Sequence, residues 1–213
     1  MGISLSLYDF FAHLVPGGVF LSALLYAFQE GWLRSPTFTA LTTAQLLCFG
    51  LAAYVLGYAI DPLAYGWYRL FQPKRDPTYG AEAAAQSLTK EYPNIEIAPQ
   101  TMSWFVVLAY IRRRNLSMAQ EIERLNVTHI MLRGVSLGLL FFALAFCLKV
   151  VTAPKPWVSV VLSLLSMAAS YSLMQNAIKF RRWFYKAIYQ SVLALNLKPE
   201  QLPVQYLNKR ERK

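Results

Sequence analysis

Charge is scarce in this sequence: Asp, Glu, Lys and Arg make up 15% of its 213 residues, against about 25% in an ordinary soluble domain. Cysteine is rarer still. Cys48 and Cys147 stand alone inside apolar runs, with no CxxC and no Cys/His cluster, so neither a disulfide framework nor a zinc site is expected. No Walker loop, GxGxxG turn, DxxD pair or Ser/His/Asp set occurs, which disfavours an enzyme and implies no cofactor. Met1 to Ala12 holds no Lys or Arg, and no small-x-small site follows, so the first apolar run is not expected to be a cleaved signal peptide. Met1-Gly2 with Ser6 fits the acylation pattern only formally.

What is abundant is apolar sequence, 56% of the chain, and it falls in four blocks at 10–29, 40–60, 131–152 and 157–177. Each has about the 20 residues that a helix needs to cross a bilayer. The fold class expected is an all-α integral membrane protein with four transmembrane helices, the third and fourth extended into the cytoplasm. Four regions follow: a first transmembrane hairpin over 1–62, a cytoplasmic helical region over 63–128, a second hairpin over 129–178, and a basic helix and tail over 179–213. Lys and Arg set the orientation. Seventeen of them lie between the second and third blocks or after the fourth, against three (Arg34, Lys149 and Lys155) in the other two connections. Both termini and the large loop are therefore expected in the cytoplasm, which puts the Asn115 and Asn126 sequons on the wrong side for glycosylation.

Punctuation refines this plan. Pro16-Gly17-Gly18 predicts a kink or broken first turn in the first span. Asp61-Pro62 is placed to end the second span, and the aromatic stretch 63–72 suits a helix in the headgroup region or packed under the bundle. A helix is expected over 78–91, between breaks at Pro73–Pro77 and at Tyr92-Pro93-Asn94. Residues 100–152 hold no proline and read as one helix, or two nearly coaxial ones. Phe180, Phe184, Ile188, Val192 and Leu195 recur at helical spacing beyond the fourth span, so that extension must pack on something. A continuous helix from cytoplasm to membrane would carry force directly between them.

Arg112-Arg113-Arg114 is the densest basic cluster outside the tail. One reading is headgroup contact. The other is an anionic ligand, with Lys90, Arg124 and Arg133 as partners, because the guanidinium fork suits phosphate. Trp104, Tyr110, Trp183 and Tyr185 could stack on bases or anchor at the interface. Arg133, one turn inside the third span, must snorkel, line a wet vestibule, or pair with Asp9 or Asp61. Gly134 and Gly138 form a GxxxG pair that permits close helix approach and oligomer contacts, and they are the coupling candidates together with Arg133. Ser159, Ser163, Ser166 and Ser170 share one stripe of the fourth span, which serves either helix packing or a pore lining. The third span reads as uniformly apolar and lipid-facing. Arg124 and His129 have the Arg-x4-His spacing of HEPN ribonucleases, without the polar residue after the arginine. Asp9 and His13 share a helical face and could share a proton.

The opening Tyr8-Asp9-Phe10-Phe11-Ala12-His13-Leu14-Val15-Pro16-Gly17, and the stretch from Tyr110 through Arg112–Arg114, Glu121 and Arg124 into Arg133-Gly134, resemble small multi-pass proteins of bacterial defence loci. The whole plan is most similar to the membrane effector of Hailong-type anti-phage systems. The membrane subunit of Kiwa-type systems and some CRISPR-associated membrane proteins have comparable layouts. The resemblance implies an inner-membrane homo-oligomer, tetramer favoured, acting as an ion channel held closed by short single-stranded DNA from a partner nucleotidyltransferase. A non-conducting scaffold that recruits a soluble partner is the alternative.

Overall fold

The computed structural model describes residues 7–28, 42–72, 84, 86, 90, 104–151 and 155–195. The loop 30–39, the breaks at 73–77 and 92–94, Pro199 and the basic residues from Lys198 onward lie outside the described residues. So does most of the helix expected over 78–91, of which residues 84, 86 and 90 are helical. The described chain is all helical: α1 (Leu7–Phe28), α2 (Thr43–Phe71), α3 (Trp104–Arg114), α4 (Leu116–Lys149) and α5 (Pro156–Ala194). Helices α1, α2, α4 and α5 are each long and apolar enough to cross a membrane. The protein is an all-α, multi-pass membrane protein.

The start of α2 is written locally. Thr42 Oγ1 accepts from the Gln45 amide at 3.4 Å, and Gln45 Oε1 accepts from the Thr42 amide at 2.9 Å. This reciprocal pair satisfies donors that a helix N-terminus leaves open. Its end is not where the sequence places it. The helix runs through Asp61 and Pro62 to Phe71, so residues 63–71 continue the span instead of forming a separate interfacial helix. Helix α1 likewise continues through Pro16, although proline removes a bond to the carbonyl four residues back.

Residues 104–149 are two helices with a bend between them, not one straight rod. Asn115 breaks the run by capping α4: its Oδ1 accepts from the Met118 amide at 3.1 Å and from the Ser117 hydroxyl at 2.8 Å. The Arg112 guanidinium pairs with Glu123, eleven residues later. On a straight helix those residues would stand about 16 Å apart along the axis, too far for the two side chains to meet. The pair therefore rules out the coaxial arrangement.

Two compact units result, Met1–Phe71 with Val127–Ala177 and Gln72–Asn126 with Ile178–Lys213. In the first unit α4 is the central helix, with 44% of its apolar window buried against 28%, 17% and 22% for α1, α2 and α5. The expectation of a lipid-facing third span is thus corrected. Small residues on α4 admit its neighbours: a Cβ on Gly134 would stand 2.7 Å from Pro16 Cβ, and one on Gly138 would stand 2.8 Å from Val19 Cγ1. Hydropathy reports how apolar a helix is, not which helix ends up in the middle. Phe20, Ile60, Ala64 and Leu137 form the apolar centre of this unit.

In the second unit Val107, Leu108 and Ile111 from α3, Ala119 and Ile122 from α4, and Phe184, Tyr185 and Ile188 from α5 enclose one core that includes Ala84. The apolar stripe beyond the fourth span packs here as its spacing requires, with Val192 and Leu195 against the cluster. Phe180 meets Trp183 edge to face.

Candidate functional site

The second unit carries the basic candidates. Arg112, Arg113 and Arg114 close the last turn of α3, where positive charge complements the carbonyl end of the helix dipole. Arg113 and Arg114 are exposed, as are Lys90 and Arg124. Arg112 is held by Glu123, a partner that helical spacing could not reveal because the two lie on opposite sides of the Asn115 bend. The first turn of α4 begins at Leu116, so its amide end faces the same elbow, and helix N-termini favour anions. Arg112, Arg113 and Arg114 are all exposed at this corner, and as consecutive helical residues they point about 100° apart. Of the aromatic candidates here, Tyr185 is buried and Trp183 is half exposed.

Also in this unit, Arg181 is committed to packing. It donates to the Tyr185 hydroxyl at 2.9 Å, and its guanidinium carbon lies 4.9 Å from that ring's centroid. Burial pushes the Tyr189 phenol up to about 12 from an ordinary 10.0, with the nearby Tyr185 phenol adding to the effect. The sign follows from proton linkage. Between pH 10 and 12 the unfolded chain releases this proton while the folded one keeps it, so the stabilisation present below pH 10 is lost as pH rises to 12. Spectrophotometric titration at 295 nm is expected to show a late phenol transition near pH 12 in the folded protein. Tyr189→Phe should remove the late transition.

The first unit holds the polar groups of the membrane helices. Arg133 Nη2 donates to both oxygens of Asp61, at 2.6 and 2.7 Å. Among the partners open to Arg133 in the sequence, the structure selects this one. The Tyr65 ring lies 5.4 Å from the guanidinium carbon, and the buried Arg133 Nε has no hydrogen-bond partner among the described residues. One turn on, Ser136 and Ser170 bind each other's backbones: Ser136 Oγ donates to the Ser170 carbonyl at 2.8 Å and Ser170 Oγ to the Ser136 carbonyl at 2.7 Å. The Trp67 indole donates to Ser136 Oγ at 3.2 Å. Further along, Ser163 Oγ donates to the Ala143 carbonyl at 2.9 Å.

The serine stripe therefore lies along α4. Ser159, Ser163 and Ser170 are buried and Ser166 is half-buried, and the two hydroxyls just described are spent on interhelix bonds. Gly134 and Gly138 meet α1 within the same chain. The closest backbone approach is elsewhere, where Gly17 of α1 faces Ala53 and Gly57 of α2. The spacing of Ala53 and Gly57 signals it as a small-xxx-small pair. The His129 ring is 1% exposed and its Nδ1 lies 2.9 Å from the Ala177 carbonyl, with Tyr68 edge-on to it. The ring is thus packed between α2 and α5. His13 stacks on Tyr58 at 3.7 Å, and the Asp9 side chain lies outside the described residues.

Among the described residues no three of His, Cys, Asp and Glu gather as metal ligands. Comparison of the chain with protein-family models, with curated proteins and with solved structures returned no match.

Proposed function

We propose that this protein is a membrane effector: a homo-oligomer, tetramer favoured, whose conduction is controlled by an anionic cytoplasmic ligand held at the α3–α4 elbow. The observation that carries this reading is helix continuity. Helices α4 and α5 each include residues of both units without a break, and α3, which ends on Arg113 and Arg114, packs against the second-unit portions of both, so a ligand there would act on them through that packing. In this reading Arg112 is released from Glu123 as phosphates arrive, and Arg124 and Lys90 extend the site. Coupling passes along α4 through Arg133, Gly134 and Gly138. The Lys and Arg distribution supports a cytoplasmic position for the basic unit and both termini. The resemblance to Hailong-type effectors supplies the ligand class, a short single-stranded DNA or nucleotide from a partner nucleotidyltransferase. It also supplies the setting, anti-phage defence at a bacterial inner membrane.

The packed serines bear on where ions would pass. With Ser163 and Ser170 bonded to α4, a conduction path belongs between protomers, not inside one. The same observation favours a second reading, a non-conducting scaffold or sensor that recruits a soluble defence partner. Conductance of the purified oligomer in planar bilayers, with and without short single-stranded DNA on the basic side, separates the two. The first reading expects a current that the oligonucleotide changes; a folded oligomer silent under both conditions removes it.

Binding supplies a further expectation. Oligonucleotide affinity should fall steeply with salt, by a slope of about 0.7 per phosphate neutralised on a single strand. Arg113→Ala/Arg114→Ala should lower that slope by about 1.4. A salt-independent interaction would rule out phosphate recognition at the elbow.

A further inference from the structure

Helix α5 carries all its charge in one short stretch. Its 39 residues include no Asp or Glu, and its four basic residues are Lys179, Arg181, Arg182 and Lys186. Arg181 turns inward, as described above. Lys179 and Trp183 do not: Lys179 is exposed and Trp183 is 51% exposed. At about 100° per residue, Lys179, Trp183 and Lys186 fall within roughly 60° of one another on the helix surface.

Spacing along the helix gives this face its level. Trp157, at the other end of α5, is 66% exposed, and the 26 steps from it to Trp183 cover about 39 Å. A bilayer measures about 30 Å across its hydrocarbon and about 40–45 Å with its headgroups. One helix therefore sets an exposed indole near each interface, where tryptophan concentrates. Between them the exposed Val161, Leu164 and Leu165 are aliphatic, as lipid contact requires.

We propose that Lys179, Trp183 and Lys186 form a binding site for an anionic phospholipid of the leaflet at that end of α5. The exposed Lys179 ammonium meets the phosphodiester, the half-buried Lys186 adds positive charge on the same face, and the indole lies at the glycerol level. Charge complementarity selects the lipid class, since this helix offers no carboxylate to repel it. The indole selects a lipid over a soluble anion, because a dissolved phosphate gives a half-exposed tryptophan at interfacial depth nothing to do. The site is separate from the arginine elbow and does not depend on conduction.

The full-length protein, reconstituted in vesicles without oligonucleotide, tests this. Trp183 emission, taken as wild type minus Trp183→Phe, is quenched by brominated phosphatidylglycerol or by brominated phosphatidylcholine at equal mole fraction. Wild type should be quenched more by the anionic lipid. The exposed Lys179 contributes about fivefold to the preference, so Lys179→Gln should remove it. Lys179→Arg/Lys186→Arg and Lys155→Gln should retain it. Equal quenching of wild type by both lipids overturns the proposal, as does a preference that survives Lys179→Gln. Loss of the anionic preference on adding inorganic phosphate at constant ionic strength also overturns it, since it would reveal a site for soluble anions.

Discussion

Gly57→Ala and Gly17→Ala are each expected to cost about 3 kcal/mol or more, the largest effects among the described glycines. A Cβ added on Gly57 would overlap the carbonyl oxygen of His13, and one on Gly17 would overlap that of Ala53. Both obstacles are helix backbone, which cannot rotate aside as a side-chain tip does. The α1–α2 pair would have to separate along its length, giving up the van der Waals contact that joins membrane helices when both alternatives are apolar. Gly50 and Gly66 lie on the same helix with nothing within 4 Å of an added Cβ. Gly50→Ala and Gly66→Ala should be neutral or stabilising by up to about 1 kcal/mol, since alanine is the better helix former. Denaturant titration in detergent micelles reads all four variants. A Gly57→Ala protein as stable as Gly50→Ala would mean that the close approach is not real.

Asp61→Ala comes second, at about 3 kcal/mol. The two partners are buried unequally, with the Arg133 side chain 10% exposed and that of Asp61 33% exposed. Removing the aspartate strands a buried guanidinium, whose desolvation then goes uncompensated. Removing the arginine leaves the less buried partner, so Arg133→Ala should cost less, about 1–2 kcal/mol. Asp61→Leu/Arg133→Met should recover most of the loss, because a buried ion pair replaced as a unit is often close to neutral. A double variant as unstable as the sum of its singles would contradict a direct pair. In the proposed effector the same double variant keeps the bundle but loses the polar link between α2 and α4. Gating that is unchanged in it would remove Arg133 from the coupling route.

The limits of sequence reading show at particular residues. Asp61-Pro62 has the composition of a helix end, and soluble helices often stop at such a pair. Here the aspartate has a partner on α4, and the helix passes through. Asn115 was the reverse case. No proline or glycine marks the bend, yet an asparagine whose side chain caps the next helix ends α3 and turns the chain so that Arg112 reaches Glu123. The serine stripe was visible as a stripe, but its two uses have the same spacing. Only the carbonyls of Ser136 and Ala143 opposite it show which groups the hydroxyls meet.

Composition and periodicity by themselves determined that the chain is helical, that four segments are long and apolar enough to span, and that the stripe from Phe184 to Leu195 must be covered. Those are properties of one segment at a time: length against bilayer thickness, and apolar spacing against helical pitch. Tertiary structure decided that α4 is the central span, that Gly17 and Gly57 set the closest helix approach, that Arg133 belongs to Asp61, and that His129 is packed in the bundle. Each of these is a pairing between segments distant in the chain. A pairing depends on which surfaces fit and which charges can be neutralised together, and the separate helices carry no record of that until they pack.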